Sequence, residues 1–117
     1  MCALPLTAQT VPTIRPGRAV VAVAHRGLSP GFPENTLAAF RQSIARGIDV
    51  IELDLRGTAD GEAVVMHDET VNRTTNGSGE VARMTLRQLK ALDAGRHANR
   101  RFRGERIPTY AEVLELA

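Results

Sequence analysis

Cysteine and lysine are almost missing from this 117-residue chain, and so are several longer patterns. A single cysteine, Cys2, leaves no pair for an internal disulfide and too few thiolates for a cysteine-rich zinc site, which fits a reducing compartment. Lys90 is the sole lysine, so arginine carries nearly all the positive charge, and the net charge of +2 does not by itself imply nucleic acid. There is no internal repeat, no low-complexity tract and no apolar run long enough to span a membrane. The start lacks a basic segment followed by an apolar one, so residues 1–18, with three prolines, read as a flexible lead-in rather than a signal peptide. What remains is an ordinary soluble composition, 43% hydrophobic and 24% charged, with room for one modest domain and an expected cytoplasmic location.

Within 19–117 the pattern alternates between strand and helix. "RAVVAVAHRG" is a nearly continuous apolar run closed by glycine, the pattern of a strand buried on both faces, with His25 and Arg26 at its C-terminal end. "SPGFPENT" is dense in turn formers, and Asn35 or Thr36 can cap the helix predicted by "LAAFRQSIARG", where Leu37, Phe40 and Ile44 share a face and Gly47 supplies the stop. "IDVIELDL" predicts one strand with Ile51, Leu53 and Leu55 on one face, and Glu52 and Asp54 together on the other. Asp60-Gly61 is a hairpin signal and "EAVVMHD" reads as the returning antiparallel strand. With those two residues as the turn pair, Asp54 lies directly across from His67 on one face. Two capping boxes follow, Thr85 with Gln88 in "MTLRQLKALDAG" and Thr109 with Glu112 in "IPTYAEVLELA". Met84 can staple onto Leu89, and the last helix reaches Ala117 with no stop signal, as though cut while helical.

Several of these residues carry chemistry. Glu52 and Asp54 offer oxygen donors to a hard divalent cation such as Mg²⁺ or Ca²⁺, although a solvated strand face has the same spacing. His25 and His67 could each be a satisfied structural histidine. With the acid pair and Arg26, which suits bidentate phosphate contact, they form a coherent set for phosphoester cleavage. His97 reads as surface, and "RRFRGER" as a solvated loop that could touch an anionic surface. Arg73, Thr74 and Thr75 either position a phosphate or support the hairpin.

In order and spacing, "HRG" at 25–27, "PENT" at 33–36, "ELD" at 52–54, "TADG" at 58–61, "HD" at 67–68, "RTT" at 73–75 and "IPT" at 107–109 closely resemble the glycerophosphodiester phosphodiesterase family. The resemblance implies an α/β fold, the N-terminal part of a TIM (β/α)8 barrel of the phospholipase C-like phosphodiesterase type, truncated before its third core strand. It implies hydrolysis of glycerophosphodiesters to an alcohol and glycerol 3-phosphate, with His25 and His67 as acid and base, Arg26 on the phosphate, and Glu52 and Asp54 as ligands of one divalent cation, Mg²⁺ or Ca²⁺. The expected partner is a small-molecule glycerophosphodiester, with no nucleic acid and no stable membrane insertion. A further metal-binding glutamate and a lysine would come from the third strand, so the chain alone is expected to be poorly stable and inactive. A sphingomyelinase D-like phospholipase shares the histidines and acid pair, and a non-catalytic phosphate-binding remnant is the alternative outside enzymes. "PENT" and "RTT" favour the first reading over the sphingomyelinase. Retention of both histidines and both carboxylates argues against the remnant.

Overall fold

The computed structural model describes Gly17, residues 20–29 and residues 31–117. Gly17 apart, the expected lead-in of residues 1–18, Cys2 included, lies outside the described residues. The chain opens as a βαβ unit. Strand β1 (Val23–His25) runs parallel to β2 (Val50–Glu52) in the register Val23↔Val50, Ala24↔Ile51, His25↔Glu52, and helix α1 (Leu37–Ala45) connects them. Thr36 caps α1 by accepting the Ala39 N–H, which supplies one of the partners that a first helical turn lacks. Gly47 ends it at φ 67°, the left-handed stop that the sequence predicts.

The expected single strand over 48–55 is two strands. β2 ends at Glu52, and β3 (Leu55–Gly57) pairs antiparallel with β4 (Ala63–Val65). The hairpin itself corrects the sequence reading. Its register is Leu55↔Val65, Arg56↔Val64, Gly57↔Ala63, and the loop closes on Thr58, whose N–H donates to the Glu62 carbonyl. Three residues, 59–61, therefore form the loop, with Gly61 at φ 84° as its left-handed member, rather than a two-residue Asp60-Gly61 turn. Asp60 is instead occupied in accepting from the Thr58 hydroxyl and the Leu86 N–H. The shift of one residue sets Asp54 against Met66, whose N–H donates to the Asp54 carbonyl, and takes His67 off the position across from Asp54.

β4 has apolar partners on both faces. Val64 joins Met66, Val71, Val81, Leu89 and Ile107 in one cluster, while Val65 packs with Phe40 and Val113, supported by Ile51 and Leu53. Fully burying each valine stabilises by about 1.5–3 kcal/mol, so this short strand ties the two clusters together. The burial expected around β1 is reached on one side only: Ala24 is buried, while Val21 and Val23 on the opposite face are exposed because no described layer covers that face, and Val20, ahead of the strand, is exposed as well. Leu55 and Ile44 are likewise more exposed than their predicted faces require. Helices α2 (Leu86–Lys90) and α3 (Tyr110–Leu116) both start at the expected capping boxes, and Met84 packs against the cluster that holds Leu89. α2 is shorter than its sequence pattern because Asp93 draws the Gly95, Arg96 and Gly104 N–H groups into a tight loop.

Candidate active site

The C-terminal ends of β1 and β2 bring four of the five predicted residues together. The register sets His25 beside Glu52, with Nε2 3.8 Å from Oε2. The chain then turns sharply: Arg26 has φ 56° and Gly27 φ 82°, and a Cβ on Gly27 would stand 2.7 Å from the Ala39 Cβ, so only glycine lets this turn sit on α1. That turn aims the Arg26 N–H at Glu52 Oε2, 3.0 Å away. The Arg26 guanidinium reaches Glu34 Oε1 at 3.3 Å through Nη1 and lies 3.5 Å from Asp54 Oδ2 at Nε, a buried donor without a hydrogen-bond partner among the described residues.

Asp54 is fixed by Asn35. The Asn35 amide donates to Asp54 Oδ2 at 3.0 Å and its carbonyl oxygen accepts the Asp54 N–H at 3.4 Å. Asn35 is buried with φ 56°, a left-handed conformation that asparagine tolerates better than most residues, and its own N–H donates to the Arg26 carbonyl. Glu52 Oε1 and Asp54 Oδ1 make no hydrogen bond or ion pair among the described residues.

His67 is placed differently from the sequence expectation. No hydrogen bond or ion pair among the described residues joins it to Glu52 or Asp54; its Nδ1 pairs at 2.7 Å with Asp68 Oδ1. Asp68 in turn receives Arg73 Nε and Nη2, both at 2.9 Å. These arginine hydrogen bonds, and then the one from His67, hold the Asp68 carboxyl far below the ordinary carboxylate range. Arg73 also grips Glu34 at 2.9 and 2.7 Å, which lowers the Glu34 pKa. The Arg56 guanidinium anchors the His67 carbonyl from the hairpin side.

Among the described residues no group of three or more His, Cys, Asp or Glu could hold a metal ion. The cavity next to Glu34, Asn35, His67 and Thr74 has room for about one water, ≈ 10 Å³, and so is no substrate chamber. Thr75 is structural: its hydroxyl donates to the Val71 carbonyl and accepts from Gly77 N–H. His97 is exposed. In "RRFRGER", Arg101 is not merely solvated; it stacks on Phe102 and Phe32 and donates to the Gly31 carbonyl. Glu34, Asn35, Asp68 and Arg73 are the residues to which the sequence reading gave no definite role, though "PENT", "HD" and "RTT" contained them.

Residues 25–117 match the Glycerophosphoryl diester phosphodiesterase family. The chain is 56% identical over 94 residues to a glycerophosphodiester phosphodiesterase of Caldanaerobacter subterraneus, covering 80% of this chain and 39% of that protein. To human glycerophosphodiester phosphodiesterase 1 it is 44% identical, covering 86% and 31% respectively. Among solved structures it is similar to an Oleispira antarctica phosphodiesterase in complex with the product sn-glycerol-3-phosphate, with TM-score 0.81, 39% identity, and coverage of 83% of this chain and 39% of that one. A glycerophosphodiester phosphodiesterase from Agrobacterium tumefaciens matches with TM-score 0.79 and 45% identity over 81% of this chain and 41% of that one. The chain thus spans about two-fifths of the length of these solved structures, and its βαβ unit and hairpin are an α/β part of their TIM-barrel fold.

Proposed function

The chain belongs to the glycerophosphoryl diester phosphodiesterase family, and from that premise we propose that the whole protein hydrolyses glycerophosphodiesters to an alcohol and glycerol 3-phosphate with the help of a divalent cation. The observation that carries this reading is the meeting of His25, Arg26, Glu52 and Asp54 at the ends of two parallel strands, the end at which barrel enzymes of this kind place their chemistry.

Arg26 is the phosphate contact. Its buried Nε, short of a hydrogen bond to Asp54, is a donor that an anionic oxygen would satisfy. Glu52 and Asp54 suit a hard cation: each carboxylate has one oxygen steadied by an N–H donor and one uncommitted. Mg²⁺ in particular is often held by one or two carboxylates, with water and substrate phosphate completing its shell, and Ca²⁺ takes oxygen donors of the same kind. When bound, such a cation neutralises phosphate charge and polarises a non-bridging oxygen. His25 and His67 exchange the protons: one takes a proton from the attacker, either water or the substrate's own glycerol hydroxyl, as its oxygen bonds to phosphorus, and the other gives one to the alkoxide as the phosphorus–oxygen bond breaks, with water opening the cyclic phosphate where the substrate hydroxyl attacked first. Without that second proton the alkoxide is a poor leaving group, which is why charge neutralisation alone does not suffice.

Glycerophosphocholine hydrolysis by the full-length protein, with and without chelator, tests the proposal. We expect chelation to abolish turnover, and His25→Ala or His67→Ala to lower kcat by about 10²–10⁴-fold. A wild-type rate in His67→Ala, or indifference to chelator, would contradict it. The 117-residue chain by itself, with two carboxylate ligands proposed among its described residues, is expected to show no robust turnover.

A further inference from the structure

Arg73 is spent on carboxylates. It places four hydrogen bonds on two partners: Nη1 and Nη2 on Glu34 at 2.9 and 2.7 Å, and Nε and Nη2 on Asp68, both at 2.9 Å. A guanidinium so committed is not available to clamp a phosphate, so of the two roles that the sequence left open to Arg73 the supporting one fits its contacts. The two partners come from different loops. Glu34 follows β1 and precedes α1, whereas Asp68 follows β4 and is next to His67. Arg73 therefore fastens one loop to the other.

The chemistry at each end of this bridge is specific. Asp68 Oδ1 accepts from Arg73 Nη2 and faces His67 Nδ1 at 2.7 Å. With the arginine holding it ionised, the carboxylate can only accept, so the hydrogen of a neutral His67 must sit on Nδ1. At the other end, Glu34 Oε1 is shared between Arg73 at 2.7 Å and Arg26 at 3.3 Å. Two carboxylates thus face two guanidiniums, and the longest contact in the set is the one to the arginine that we assign to phosphate.

We infer that Glu34, Arg73 and Asp68 are positioning residues that link the Arg26 turn to His67 and hold His67 as the Nδ1–H tautomer, leaving Nε2 as the atom that exchanges protons. The inference rests on the reading of His67 as a proton-transfer group. Its structural half stands without that reading. Arg73 fixes Asp68, Asp68 fixes the imidazole, and Glu34 keeps Arg26 and Arg73 in register with each other. A planar fork is required, because a lysine ammonium is a point donor that cannot hold two carboxylates in one plane.

The test uses the full-length protein and two independent readouts. The tautomer of His67 is read by imidazole ¹⁵N NMR at a pH where the ring is neutral, and kcat and KM are measured on glycerophosphocholine. In the wild type we expect Nδ1 protonated. In Asp68→Ala the population should move to the Nε2–H form, with kcat at least about 10-fold lower and KM changed by much less. Arg73→Lys should move both readouts in the same direction by smaller amounts. Urea unfolding of each variant identifies those that keep the fold; if Asp68→Ala does not, Arg73→Lys and Glu34→Gln carry the test. A wild-type Nε2–H tautomer, or a folded Asp68→Ala with unchanged tautomer and kcat, would overturn the inference. If no glycerophosphodiester is hydrolysed by the wild type, yet the tautomer is Nδ1–H and shifts in Asp68→Ala, the proposed activity falls and the positioning bridge stands.

Discussion

At the scale of single residues, most polar side chains here are explained by what they fasten. Asp93 is a clear case: one carboxylate accepts the N–H groups of Gly95, Arg96 and Gly104, and thereby ties both ends of the arginine-rich loop. Hydrogen bonding to the charged form favours it, and the Arg96 N–H, the leading cause, helps bring the Asp93 carboxyl down to about 2. A depressed folded pKa means that this contribution to stability is complete above the unfolded value of about 3.9 and is lost as the pH falls from there through about 2. Asp93→Asn should lower the unfolding free energy at pH 7 by about 1 kcal/mol, read as a lower urea midpoint, and should narrow the gap between the midpoints at pH 7 and pH 2.5. An unchanged gap would show that the loop does not depend on the charged form.

Elements are held by their ends. α1, α2 and α3 are each preceded by a threonine whose hydroxyl accepts an N–H of the first turn, and at α2 and α3 a glutamine or glutamate returns the bond. Thr109→Ala should cost about 1 kcal/mol in unfolding free energy. At the hairpin, Gly61 is required at φ 84° by the three-residue loop, with open space where a Cβ would stand, so the cost of Gly61→Ala is conformational, on the order of 1–2 kcal/mol. A two-residue turn and a three-residue loop both suit the same Asp60-Gly61 signal. Which one forms is settled by burial: the observed register gives Val64 and Val65 places in the two clusters, and Met66 a place beside Val64. The helix starts were legible in the sequence because capping is local. The hairpin register was not, because a slip of one residue leaves every local signal intact and changes only which side chains reach the core.

For the whole molecule, the question is what covers β1. Val20, Val21, Val23 and Leu55 are exposed on a chain that spans about two-fifths of the solved structures it matches. Apolar surface of this kind is a site of association when nothing covers it. The 117-residue chain on its own should therefore bind a hydrophobic dye such as ANS and show a sedimentation coefficient that rises with concentration. A dye-free monomer at high concentration would mean that this surface is covered in a way the described residues do not account for.

The sequence alone determined the order of strand, helix and hairpin, the three helix starts to within a residue, and the placing of His25 and Arg26 at the end of the first strand, since periodicity, caps and glycine stops act over a few residues; that the second strand ends at Glu52 and leaves Asp54 just beyond it came with the fold. Only the tertiary structure decided the partners. Glu52 is held by the turn after β1, Asp54 by Asn35, and His67 by Asp68 rather than by the acid pair, with Arg73 reaching back across 39 positions to Glu34. Such contacts join loops that are distant in sequence, and their geometry follows from the hairpin register and the packing of β4 between two apolar clusters, which no local pattern encodes.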